Sequence, residues 1–256
     1  MAYWLGQFDV FLLVLLRVSA LLVVAPIFGH RNWQARSKVG LAFLVSIVLF
    51  PVVAEQPLDL PVGVFAYGAL MVREVLMGVI LGFTVLLLFV GIQFAGQLAG
   101  LQMGFGIVNV IDPQSANQIS IIGQFLNILA ILLLLTLNGH HMILSGLATS
   151  FETIPLGGVE FHDGLMLKLM AVTTEVFVIA IKIAAPVLIA LFLVTASMGV
   201  LARTVPQMNV FMVGFPVQIA VGMGALVAAL PLFSMLVERM LINTSRDLIS
   251  LLDFLH

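Results

Sequence analysis

Charges embedded in long apolar runs constrain this chain more than any other feature. Apolar stretches cover residues 8–28, 39–53, 62–92, 119–137, 165–202 and 208–237, separated by clusters of Gly, Pro, Asn or charge. About 20 apolar residues cross a bilayer as one helix. The runs are too long, too rich in Leu, Ala, Met and Gly, and too poor in alternation for barrel strands. An all-α chain is expected. The lengths are uneven, however. The second run is short for a span, whereas the third and fifth have room for a helix plus a bend or a tight hairpin. Pro186 lies inside the fifth, where it removes a helical hydrogen bond and is expected to kink the axis. Gly78, Gly82, Gly91, Gly96 and Gly100 follow the third run and its exit, where small residues let helices approach closely.

Composition explains what such runs must face. Of 256 residues, 62% are hydrophobic and 9% charged, against about 25% charged in soluble domains. Too little polar surface exists to coat a water-soluble monomer, so the apolar excess faces lipid, partner subunits or both. The chain has no cysteine, which removes disulfides and thiolate metal sites. A net charge of -2 supplies no basic field for nucleic acid. The first run holds Arg17 and ends at Pro26 without a small-residue cleavage site, so it reads as a retained helix. With no visible repeat or soluble segment, residues 1–256 read as one integral-membrane domain.

Arg31, Arg36 and Lys38 after the first run favour the cytoplasmic side for that loop. Glu55, Asp59, Glu152, Glu160 and Asp163 mark loops poor in Lys and Arg, which fits the outer face. If each run crosses once, the N-terminus lies outside and the loop around 93–118 inside.

A charge at the bilayer centre costs about 2.5–3.5 kcal/mol, so charges in or beside the runs require water, partners or a protein interior. Among them are Arg17, Arg73, Glu74, Glu175 and Lys182. Arg17 reads either as a snorkelling or paired structural residue, or as a gating or assembly residue. Glu175 and Lys182 lie two turns apart on one helical face. That is too far for direct pairing, and their partners are expected on other helices or chains. A proton relay through them finds little support, because no other acid or His shares their run.

The segment from Gln93 to Gln124 is too polar and Gly-rich for a lipid-facing helix, yet too apolar for a solvated loop. Amides recur at Gln93, Gln97, Gln102, Asn109, Gln114, Asn117, Gln118 and Gln124. Irregular backbone at membrane depth is tolerated only inside protein or along a water-filled cavity. Gly104-Phe105-Gly106 reads as a flexible aromatic tip, and Asp112-Pro113 as a turn and helix start. Two readings stay open: a re-entrant plug in a channel, and a packed interhelical loop. His140-His141 reads as a helix boundary, because no nearby Cys or paired carboxylates complete a metal set. The thirteen methionines fit core filling better than a deformable gasket. No GxSxG, HExxH, P-loop or GxGxxG occurs. The chain therefore reads as a non-enzyme without cofactor, catalytic residues or metal.

Several blocks in order carry a family resemblance: RVSALLVVAPIFG from Arg17, REVLMGVILGF from Arg73, FAGQLAGLQMGFG from Phe94, Asp112-Pro113, NGHHMIL from Asn138, and ARTVPQMNVFMVGFP from Ala202. Together they resemble the FliR (SctT) family of type III secretion export-gate proteins over almost the whole chain. One departure is Asn32-Trp33-Gln34, where many members carry a proline.

The resemblance implies helical hairpins that join a FliP-like portion, about 1–200, to FliQ-like helices over about 165–256. It implies a hetero-oligomer with FliP-like and FliQ-like subunits and an FlhB-like switch protein. That assembly surrounds a pore of the bacterial inner membrane in the flagellar basal body, partly above the bilayer on the periplasmic side. Its substrates are unfolded flagellar proteins, moved by the proton motive force. A plug near 102–118 closes the pore, here Gln102, Met103, Gly104, Phe105, Gly106, Ile107, Val108 and Asn109, with Phe105 at the tip. Arg17, Arg73, Glu74, Glu175, Lys182 and Arg203 pair across helices or subunits. Pro206, Gln207 and Asn209 form a polar turn near the pore entrance. Three alternatives stand beside this: an injectisome homologue, a scaffold of the basal body, and a stand-alone secondary transporter. The last predicts inverted repeats and a midplane substrate site, and neither is evident.

Overall fold

A computed structural model describes residues 2–29, 34–54, 63–106, 120–160, 162, 164–205, 207 and 209–255. Every regular element among them is helical. In chain order these are α1 (Ala2–Val24), α2 (Pro26–Gly29), α3 (Ala35–Ala54), α4 (Val64–Gln102), α5 (Ile121–Thr136), α6 (Gly139–Thr153), α7 (Gly164–Thr204) and α8 (Val210–Leu252). Leu, Ala and Met are strong helix formers. In an apolar medium a helix also satisfies its own backbone without outside partners.

The third and fifth apolar runs contain no hairpin. Each forms one helix, α4 of 39 residues and α7 of 41. At 1.5 Å per residue, α4 is roughly 58 Å long, far beyond the roughly 30 Å hydrocarbon core. α7 continues through Pro186, and α8 through Pro216 and Pro231. The helical run is broken elsewhere, between α5 and α6. There Asn138 adopts φ 56°, a left-handed conformation that Asn tolerates better than most residues.

The chain divides into two compact units, and α4, α7 and α8 each contribute residues to both. The first unit combines residues 1–88, 138–173 and 241–256. Its core holds Leu13, Val14, Val18 and Leu21 of α1, Met77 and Leu81 of α4, and Ile143, Leu147 and Phe151 of α6. α3 lies along α1, with Phe11 edge-on to Phe43 and Phe50. Gly78 packs against the Arg17 carbonyl and Ala20, so α1 and α4 touch almost backbone to backbone. Past α6, the chain is tied to the C-terminal turn by Glu160 N–H to the Leu255 carbonyl and His162 N–H to the Phe254 carbonyl.

The second unit combines residues 89–137 and 174–240. It buries Phe89, Ile92, Ala95 and Ala99 of α4, Leu126 and Ala130 of α5, Val187 and Leu191 of α7, and Phe233 and Val237 of α8. Phe94 meets Phe177 edge-on at 5.7 Å.

Five helices, α1, α3, α4, α7 and α8, are long and apolar enough to cross a membrane, and the pair α5–α6 is a sixth candidate. They are not equally available to lipid. The most apolar window of α4 is 61% buried within the chain, whereas that of α8 is 17% buried. α4 is therefore an internal strut, and most of α8 presents apolar surface outward.

Candidate functional site

Arg17 sits in the middle of α1, flanked by Leu13, Val14, Val18 and Leu21, and is 0% exposed. Such burial requires pairing, which Nε and Nη1 find, whereas Nη2 has no hydrogen-bond partner among the described residues. Its Nε donates to Glu74 Oε2 at 2.6 Å. Its Nη1 donates to the carbonyls of Ser150 at 3.0 Å and Ile154 at 3.2 Å, and to Ser150 Oγ at 3.4 Å. Those carbonyls stand at the end of α6, which carries the negative end of the dipole; the Ser150 carbonyl also accepts the Ile154 N–H at 3.1 Å. Arg17 thus caps α6 while it neutralises Glu74 of α4. The guanidinium also lies 4.3 Å from the Phe151 ring centre, a cation–π geometry.

Glu74 is equally enclosed, and its other oxygen, Oε1, accepts from Gly157 N–H at 2.9 Å. Gly157 holds φ +80°, a conformation that favours glycine over any residue with a Cβ. One ion pair therefore joins α1, α4, α6 and the turn beyond α6. Its partners hold charge in place; the backbone groups among them offer no titratable route for a proton.

The other expected charges are not gathered here. Arg73, next to Glu74, faces outward, as do Lys182 and Arg203, and Glu175 is half-buried. A pair that sequence reasoning missed joins Lys168 of α7 to Asp247 of α8 at 2.7 Å. Seventy-nine residues separate them, so no local pattern reveals it. The His140 and His141 ring centres lie 4.3 Å apart with the planes tilted by 38°. Among the described residues, no group of three His, Asp or Glu side chains is arranged to hold a metal.

In the second unit, the amide- and glycine-rich segment begins as helix. α4 runs on to Gln102, so Gln93, Gln97 and Gln102 are helical rather than part of an irregular loop. The GFG element then ends the helix. Phe105 N–H bonds to the Gly100 carbonyl and Gly104 N–H to the Leu101 carbonyl, with Gly104 at φ +91°. That double bond pattern with a left-handed glycine is the Schellman stop. Gly104 is a helix terminator, Phe105 is half-buried, and Met103 is completely buried. Ile107, Val108 and Asn109 lie outside the described residues, as does Pro206.

The return helix α5 is fastened to α4 at its start. Ser120 Oγ accepts from Gly123 N–H at 3.2 Å, capping α5, and donates to the Gly96 carbonyl at 3.1 Å. The Gly96 and Gly123 backbones are in direct contact, and no Cβ fits at Gly96. Asn209 plays the equivalent capping part for α8: its Oδ1 accepts from Met212 N–H at 3.3 Å. Gln207 and Asn209 are both exposed. Beside the Schellman turn, an open pocket of about 370 Å³ is lined by Leu101, Gln102, Gly104, Gly106, Thr195, Phe215 and Gln218. Gln218 Nε2 donates to Thr195 Oγ1 at 3.4 Å across it. The described lining is amide, hydroxyl, aromatic and aliphatic, with no ionisable side chain.

Long apolar helices held by a buried ion pair, with an amide- and glycine-rich turn, define a membrane-embedded helical protein. Within that class, the chain belongs to the bacterial export proteins, family 1, whose model matches residues 8–244. It is 38% identical to the flagellar biosynthetic protein FliR of Bacillus subtilis (strain 168), over 95% of this chain and 96% of that protein. It is 33% identical to FliR of Escherichia coli (strain K12), over 96% and 95%. With FliR of Aquifex aeolicus (strain VF5) it shares 30% identity, over 87% and 86%. The resemblance read from the sequence blocks is thereby borne out.

Proposed function

We propose that this chain is a core subunit of the flagellar protein-export apparatus. The carrying observation is the family match across residues 8–244, with flagellar FliR relatives covered end to end. In this reading one copy assembles with FliP-like and FliQ-like subunits and an FlhB-like switch protein at the bacterial inner membrane, with part of the assembly on the periplasmic side. The chain is a single export-gate domain in which a FliP-like portion continues into FliQ-like helices. It is a conduit component and not an enzyme. Unfolded flagellar proteins are its cargo, since a folded domain of 100 residues is roughly 26 Å across, too wide for a helix-lined pore.

Three features support the finer reading. α8 leaves most of its apolar surface uncovered, as a helix packed against other subunits or lipid requires. Arg73, Lys182 and Arg203 are exposed on apolar helices, available to partner chains. The segment from Gln102 to Asn109, the plug of this reading, starts at a sharp helix stop beside an open pocket. In this reading the exposed Gln207 and Asn209 lie near the pore entrance.

The direct test is affinity purification of the tagged chain from its host membranes in mild detergent. Co-purification with two other small apolar membrane proteins is expected, together with loss of secreted flagellar proteins when the chain is absent. A monomer or homo-oligomer with small-solute flux would sink the proposal. For the plug, removing Gly104–Gly106 is expected to let ions leak at rest. Unchanged resting conductance would favour a packed interhelical loop.

A further inference from the structure

The amide-rich segment follows a residue that is not free to move with it. Met103 is 0% exposed, although it directly follows Gln102, which is exposed. The cause lies 119 residues later in the chain, at Gly222 of α8. A Cβ built at Gly222 would lie 2.6 Å from Met103 Cγ, 3.0 Å from Cε and 3.2 Å from Sδ. The methionine side chain therefore fills the notch that the glycine leaves, along most of its length. A second contact adjoins it: a Cβ built at Gly104, at φ +91°, would lie 3.0 Å from Phe215 Cδ1 and 3.3 Å from Cε1. Phe215 and Gly222 are seven residues apart, two turns along one face of α8. The helix stop after α4 is thus held at two successive residues by one stripe of α8.

We infer that Met103 is a positioning residue: seated in the Gly222 notch of α8, it fixes the root of the segment that follows α4 and stays seated while export proceeds. This rests on the reading of that segment as the plug. Met103 therefore belongs to the anchor and not to the surface that blocks the pore. Methionine suits the task because its unbranched thioether adapts to an irregular hole. The glycine is required because any Cβ at 222 overlaps Cγ, which is not the pliable end of the side chain.

The chain contains no cysteine, so introduced pairs report without background. Met103→Cys with Gly222→Cys, oxidised in native membranes of the host, is expected to cross-link within the chain, and the oxidised form is expected to export flagellar proteins at the rate of its own reduced form. Failure to cross-link would overturn the seating, whatever the function of the chain. Cross-linking that stops export would overturn the static anchor, because it would make the contact one that must open. Gly222→Ala is expected to raise resting ion leak by roughly fivefold or more while the complex still assembles. The same change on a Met103→Ala background is expected to add nothing further, as contacting residues are non-additive. Met103→Leu, which conserves volume, should stay tight. Additive effects, or a tight Gly222→Ala protein, would also overturn the inference. If no form of the chain, wild type included, supports flagellar export while the cross-link still forms, the functional reading fails and the seating stands.

Discussion

The two units place polar atoms inside an apolar chain by opposite means. Every buried polar or charged residue among the described ones, namely Arg17, Ser46, Glu74, Thr84, Ser150 and Thr244, belongs to the first unit. There an ion pair is fully enclosed and joins four segments by side-chain bonds. The second unit buries no such residue. It closes by bringing backbones together at Gly96 and Gly123, and by dropping Met103 into the space over Gly222. A buried charge pair is costly to assemble, yet it specifies one arrangement and strongly resists the loss of either member. Glycine contacts carry no charge, so dispersion and shape alone hold them. The first unit is thus specified by charge pairing and the second, where the proposed plug is rooted, by close fit.

Arg17→Ala should break this contrast most severely. It leaves the Glu74 carboxylate buried without its partner and uncaps α6, at a cost of about 3–5 kcal/mol. Thermal unfolding of the purified chain in detergent and its steady-state level in membranes should both fall sharply. The double change Arg17→Met with Glu74→Leu should recover much of that loss, because no charge remains to be desolvated. If the double variant is as unstable as the single one, the pair contributes more than mutual neutralisation.

Gly96→Val comes next, at about 1–3 kcal/mol of overpacking. It should alter the second unit while leaving the first intact, which hydrogen exchange on Arg17-proximal and Gly123-proximal peptides can separate. Equal loss of protection in both would argue against independent roles. Ser120→Ala removes the α5 cap and the bond to Gly96, an effect of about 1 kcal/mol, visible as earlier exchange at the start of α5. The smallest effect belongs to Lys168→Ala. Its pair with Asp247 keeps 25% and 19% side-chain exposure, so solvent screening limits the change to about 0.2–1 kcal/mol. A larger shift in melting temperature would mean that this pair, too, helps to specify the first unit.

Much of the fold is legible in the chain itself. Helices follow from long apolar runs that lack alternation, and Arg17 and Glu74 stand out because charge does not belong in such runs. Their mutual pairing is not legible, since 57 positions separate them and no periodic rule links α1 to α4. Ser150, Ile154 and Gly157 were missed for a related reason: they contribute mainly backbone groups, and backbone leaves no mark in sequence. The GFG element misled in an instructive way. Glycine signals both flexibility and helix termination, and only the bonds to Gly100 and Leu101 distinguish a Schellman stop from a loose tip. Gly222 carried no sequence signal, because small residues are common in apolar helices and only a neighbour reveals what fills the gap.

The sequence by itself determined the class: a 62% hydrophobic chain with 9% charge must be helical and must shed its apolar surface onto lipid or other protein. Its ordered motifs also determined the family. Only the tertiary structure decided that Arg17 closes on Glu74 and the end of α6, that α4 continues unbroken to Gln102, and that Met103 is buried rather than exposed. Solvent transfer acts on each residue wherever it lies, so composition records it. Pairing and packing depend on contacts between distant residues, and these exist only once the helices are in place.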